Sequence, residues 1–176
     1  MKRFSQLVIL SLSVFLFSCG GGETPVDTVE DEVIEEKEVW SSMEINDGGY
    51  VCSMEFPPMD QSGGEAEVFF DENSGELHIK AGKRIDLILL EDESQMNMVK
   101  NELNDHPFYS VEYSMQNDSA LIYRLYDEAG GSEQWHCYAE KQSPYGKWLI
   151  RSNEEGKFSE YDVKLMMSVV ERITIK

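Results

Sequence analysis

The chain predicts an α+β fold built on an antiparallel sheet, and three observations carry that expectation. From residue 50 onward, short runs alternate apolar and polar residues with period two, broken by Gly, Pro, Asn, Asp and Ser. Two stretches, about 93–105 and 160–172, switch to helical spacing. The links between successive strand runs are too short for a parallel crossover, so neighbours must run antiparallel. Together these give a twisted antiparallel sheet of about seven to eight strands with two amphipathic helices packed on it.

In chain order, Met1-Lys2-Arg3 is a compact positive start, followed by an apolar run over 7–17 broken only by Ser11 and Ser13. Such a run reaches about 17 Å as a helix, well short of the roughly 30 Å hydrocarbon core of a bilayer. The layout is that of a secretory signal peptide. Leu16-Phe17-Ser18-Cys19 ends it, and this order resembles the lipobox of bacterial lipoproteins, with Phe17 bulkier than usual at its position. The resemblance implies cleavage after Ser18, diacylglyceryl and acyl modification of Cys19, and attachment of the mature chain to a membrane. Two or more lipid chains anchor stably where one does not.

The expected organisation is therefore a signal peptide over 1–18, a lipidated Cys19 with an acidic flexible tether over 19–48, and one globular domain over 49–176. Residues 20–48 hold ten acids against the single base Lys37, a composition that buries too little apolar surface to offset chain entropy. The whole chain has 15 basic and 34 acidic residues in 176, a formal charge of −19, which becomes −21 when Lys2 and Arg3 leave with the signal. That charge repels nucleic acid and anionic head groups, and no basic face or recognition motif opposes it.

Within the domain, residues 50–56 read as a strand with Tyr50, Cys52, Met54 and Phe56 on one face, stopped by Pro57-Pro58. Residues 61–64 read as a loop. Residues 67–70 and 76–80 flank the turn Asp71-Glu72-Asn73-Ser74-Gly75, a hairpin. Residues 84–91 are almost continuously apolar, as a central strand covered on both faces requires. Asp92 and Gln95 have capping-box spacing ahead of Met96, Val99 and Leu103, and His106-Pro107 ends that helix. Four strand runs follow, around 109–115, 121–126, 135–139 and 148–150. Ser159 and Asp162 then cap the last helix, with Phe158 and Val163 placed as a hydrophobic staple. This element order loosely resembles PsbP-like domains; the likeness is architectural, no residue motif carries it, and it assigns no functional residue.

Few residues point to chemistry. With Cys19 lipidated, Cys52 and Cys137 remain as candidates for a disulfide in an oxidising compartment, or for two buried thiols acting as small apolar residues. No Gly-x-Ser-x-Gly nucleophile turn occurs. His78, His136 and Cys137 cannot readily share a zinc ion, because adjacent strand residues such as His136 and Cys137 point to opposite faces. Asp71-x-Asn73 begins like a calcium loop but has Gly75 and Gly82 where ligands are needed. Asn117-Asp118-Ser119 matches a glycosylation sequon and equally a hairpin turn. Tyr113, Tyr126, Tyr138 and Trp148 are candidates to line a groove for a peptide or glycan, or to fill the core.

The sequence thus leads to a membrane-anchored lipoprotein of the bacterial cell envelope, with the outer membrane expected, on its periplasmic or surface face. It is expected to act by binding, with an envelope protein or glycan as partner, and to need no cofactor, no metal and no nucleic acid. A hydrolase with a site not recognisable from sequence and a structural spacer are the alternatives.

Overall fold

Period-two alternation places one side of each strand in a core, and the number of distinct faces decides how many sheets are built. In the computed structural model, which describes residues 39–176, the strands form two antiparallel sheets. The signal peptide, Cys19 and the first part of the expected tether lie outside the described residues.

The smaller sheet has three strands. β1 (Ser41–Asp47) and β2 (Tyr50–Phe56) form a hairpin, and β10 (Thr174–Ile175) pairs with the other edge of β2. Strand β1 corrects the expected tether boundary at 48. Its side chains are mostly exposed acids and serines and only Ile45 is fully buried, so its composition reads as tether although its backbone pairs fully with β2. The hairpin turns at Gly48 and Gly49, both with positive φ (57° and 89°), as a two-residue primed turn requires. A Cβ on Gly48 would also lie 2.3 Å from the Phe70 ring. Tyr50, Cys52, Met54 and Phe56 all face inward as the alternation demands.

The larger sheet has seven strands in the order β3-β4-β5-β9-β8-β7-β6, all antiparallel. These are β3 (Ala66–Asp71), β4 (Glu76–Ala81), β5 (Ile85–Asp92), β6 (Ser110–Gln116), β7 (Ala120–Tyr126), β8 (Glu133–Gln142) and β9 (Lys147–Ser152). The expected run of hairpins is present, and the apolar run in β5 lies inside the sheet. Of the expected loop over 61–64, Gln61 and Ser62 belong to a one-turn helix, α1 (Met59–Ser62), which Gly63 ends, and residues 63–64 remain non-helical.

Two longer helices cover opposite faces of the large sheet. α3 (Glu160–Glu171) opens with the expected capping box: Asp162 N–H donates to Ser159 Oγ (3.2 Å) and Ser159 N–H to Asp162 Oδ2 (2.9 Å). It packs against β8, β5, β9 and β2, and its Val163, Met166 and Val169 close the main core between the two sheets. α2 (Met96–Asn104) lies on the other face, where Met96 and Leu103 meet Leu121, Tyr138 and Leu149 in a second, smaller core.

The start of α2 differs from expectation. Asp92 ends β5 and binds the Gln95 side-chain amide (2.9 Å) rather than capping a helix, which begins at Met96 instead of near 93. The helix N-terminus is closed by Glu140 of β8, which accepts the backbone N–H groups of Gln95 (2.8 Å) and Met96 (2.7 Å).

Candidate functional site

The α2 face of the large sheet is built by alternation. On β8, Trp135, Cys137 and Ala139 enter the main core, so His136, Tyr138 and Glu140 point to α2. On β7 the same rule sends Leu121, Tyr123 and Leu125 to that face. Helix α2 rests on part of this surface, and a cavity of about 580 Å³ remains between them.

Its apolar walls come from Ile88 and Leu90 of β5, Leu149 of β9, and Met98, Val99 and Leu103 of α2. Tyr123 and Tyr138 line the sheet side, and His106 and Tyr109 come from the segment after α2. Polar groups enter from His136, Gln134, Ser152 and Arg151 on the sheet, with Glu102 and Glu154 at exposed positions. This is the size and mixture of a small-molecule pocket, largely apolar with a few placed polar groups.

His136 is the most enclosed titratable side chain with a nitrogen in the lining, at 4% exposure, beside Ser152 at 2%. Its Nδ1 lies 3.1 Å from Ser152 Oγ, which also accepts the Cys137 backbone N–H at 3.2 Å. Burial holds the imidazole below its ordinary pKa against the opposing pull of Glu154, so the ring is neutral at pH 7. The Tyr123 ring packs 5.8 Å from it, and burial raises the pKa of the Tyr123 hydroxyl. Burial likewise raises that of Tyr138, whose hydroxyl donates to Glu140 (3.0 Å). Arg151 donates to Glu154 (2.7 Å) and to Glu76 (3.2 Å).

Glu140 lies behind the cavity with a side chain only 1% exposed. Burial pushes its pKa up, but Lys147 (2.8 Å), Ser94 (2.7 Å), the Gln95 N–H and Tyr138 together outweigh burial and hold it at about 2. It is a permanent anion at physiological pH, fully engaged in fixing α2 to the sheet.

The four candidate aromatics do not share one groove. Tyr138 lines the cavity and Tyr113 packs nearby in the second core. Trp148 is buried on the opposite face, edge-on to Tyr50 with centroids 5.5 Å apart. Tyr126 lies under the Arg124 guanidinium, 4.9 Å from its centroid. Sequence reading missed Tyr109 and Tyr123. The alternation of β7 carries the signal for Tyr123, but nothing in it shows that a space lies above the strand.

Cys52 and Cys137 are free thiols, one in each sheet, which corrects the disulfide candidate. Each is a core residue held by its own strand, and burial pushes their pKa values up to about 11 and about 12. His78 lies apart, stacked on Phe69 with centroids 4.7 Å apart, whereas His106 and His136 both line the cavity, His106 Nδ1 accepting the Phe108 and Tyr109 N–H groups. Among the described residues no group of three or more His, Cys, Asp or Glu could hold a metal ion. Asp71 Oδ1 is taken by the Asn73 N–H (2.9 Å) inside the β3–β4 turn. No family model, curated protein or solved structure matches the chain.

Proposed function

We propose that this protein is a lipid-anchored component of the bacterial cell envelope whose domain works by binding a small molecule in the cavity between α2 and the large sheet. The anchor rests on Leu16-Phe17-Ser18-Cys19 and the signal-peptide layout ahead of it. The binding role is carried by one observation: a cavity of about 580 Å³ with apolar walls into which a nine-tenths-buried, neutral His136 is set. A spacer needs no such space, and a domain that only filled its core would close it, because interiors pack to crystal-like density.

The two halves are tested separately. Cys19→Ala should abolish acylation and release the chain from membranes; an acylated or membrane-retained variant would sink the anchor. For the cavity, the full-length chain in lipid nanodiscs is exposed to an alkyl diazirine of eight carbons and irradiated. Labelled peptides should map to α2, β8 and β9, and Val99→Trp, which fills the space from the helix side, should remove that labelling while the thermal transition stays within a few degrees. Labelling confined to the domain surface, or unchanged by Val99→Trp, would contradict a binding cavity.

A further inference from the structure

Resting on that reading of the cavity, we propose that its occupant is an uncharged molecule with an apolar body and a carbonyl-type acceptor, received by the Nε2–H of His136. The tautomer follows from hydrogen-bond accounting. Ser152 Oγ accepts the Cys137 N–H and keeps a second lone pair, but its own proton meets an acceptor among the described residues only at His136 Nδ1, 3.1 Å away, and we assign the bond in that direction. A neutral imidazole that accepts at Nδ1 carries its proton at Nε2. His136 is 4% exposed and lines the cavity, and its Nε2 has no partner among the described residues. Nε2 is not among the buried polar atoms that lack a partner, so it opens on the cavity rather than into packed core, and a ligand acceptor there can take its N–H.

The charges of the lining select against ions of either sign. An anion would need a free cation, but both terminal nitrogens of Arg151 are already engaged by Glu154 and Glu76. Two carboxylates, Glu102 and Glu154, line the cavity along with that single guanidinium. A cation would need a free carboxylate at depth. Glu102 and Glu154 are exposed, and buried Glu140 is saturated by Lys147, Ser94, Tyr138 and two backbone N–H groups. What remains is apolar wall, protonated tyrosines, the Ser152 hydroxyl, the Gln134 amide and the imidazoles of His106 and His136, of which His136 is the more buried. A chain of eight carbons ending in a carbonyl matches that inventory, and the space of about 580 Å³ accommodates it.

Four eight-carbon probes separate the classes: 2-octanone, octane, octanoate and octylammonium. Each competes at matched free concentration, fixed against empty nanodiscs, with the diazirine labelling of the full-length chain at pH 7.5. We expect 2-octanone to compete about five-fold better than octane, the worth of one hydrogen bond, and better than both ions. His136→Leu should erase the ketone's advantage while octane still competes, and His136→Gln, which keeps an amide donor, should restore part of it. Tighter competition by octanoate or octylammonium overturns the uncharged class. An advantage for the ketone that survives His136→Leu overturns the role of His136. Labelling that no probe displaces overturns the proposed ligand class while leaving a cavity that reacts; no cavity labelling at all is the separate failure of the binding role.

Discussion

The carboxylate of Glu140 accepts the backbone N–H of Met96 at 2.7 Å, closing the first turn of α2 from a strand 44 residues further along the chain. The helix has no side-chain cap of its own. Helix N-termini leave donors that need partners, and a carboxylate there also meets the positive end of the helix dipole. One residue of β8 therefore fixes the roof of the cavity to its floor.

Replacing Glu140 by Gln should loosen α2 and lower stability by about 2–4 kcal/mol, since it leaves Lys147 unpaired and removes charge-assisted bonds from buried donors. Hydrogen exchange at the α2 amides reads the local effect, and thermal melting the global one. The acid limb carries the same signature. The folded pKa of about 2 lies below the ordinary 4.5, so the contribution is complete above 4.5 and is lost as pH falls toward 2, a change on the order of 3 kcal/mol. Glu140→Gln should flatten that part of the stability curve; an acid limb identical to wild type would show that Glu140 is not its source.

His136 has the opposite chemistry and the same sign. Its folded pKa is depressed by burial below the ordinary 6.5, so below 6.5 the unfolded chain binds a proton that the folded chain resists. Stability from a neutral His136 is present at higher pH and is lost as pH falls through that window. Glu154 opposes the shift, and Arg151 and Tyr123 line the same space. The stability gap between wild type and His136→Gln, measured by urea unfolding, should narrow between pH 7.5 and 5.5, at a slope of at most about 1.4 kcal/mol per unit. A gap that widens on acidification would contradict a neutral buried imidazole.

Much of this arrangement is visible in the residues, and the parts that are not have physical reasons. The faces of β2 and β8 follow from strict alternation, and the Ser159–Asp162 cap of α3 follows from local spacing, because each depends on neighbours a few positions away. Asp92 and Gln95 have the same spacing, yet Glu140 supplies the helix with a stronger acceptor that no local window contains. The division into two sheets turns on where β2 packs, which its own pattern does not encode. β1 looks like tether because pairing with β2 stabilises its backbone while its side chains stay wet. The residues around the cavity were legible one by one as sheet or helix faces, whereas the space between them exists only after packing.

The two thiols predict a redox-indifferent domain. Cys52 and Cys137 are free, buried at 0% and 1% exposure, and their pKa values are raised, so little thiolate forms at neutral pH. Iodoacetamide at pH 8 should leave both peptides unmodified in the folded chain and alkylate both after unfolding without reductant. The melting temperature should not respond to reductant. A Cys52–Cys137 peptide pair recovered before reduction would contradict the free thiols.

The entry of the chain into the domain depends on a second long-range contact. The Arg172 guanidinium, just after α3, lies 3.9 Å from the centroid of the Trp40 ring and 3.6 Å from Glu55 on β2. Trp40 also packs against the main core. It is the last large anchor before β1, whose own inward residues are Met43 and Ile45. An edge strand with so little buried surface is the first to open locally. Trp40→Ala should therefore cost about 1–3 kcal/mol through lost packing and the cation–π contact, and accelerate hydrogen exchange across Ser41–Asp47 more than across β8. Arg172→Gln removes only the guanidinium and should cost about 0.5–1 kcal/mol. Equal acceleration in β1 and β8 would mean that β1 opens only with the whole domain, and that Trp40 acts on global stability rather than on how the chain enters the fold.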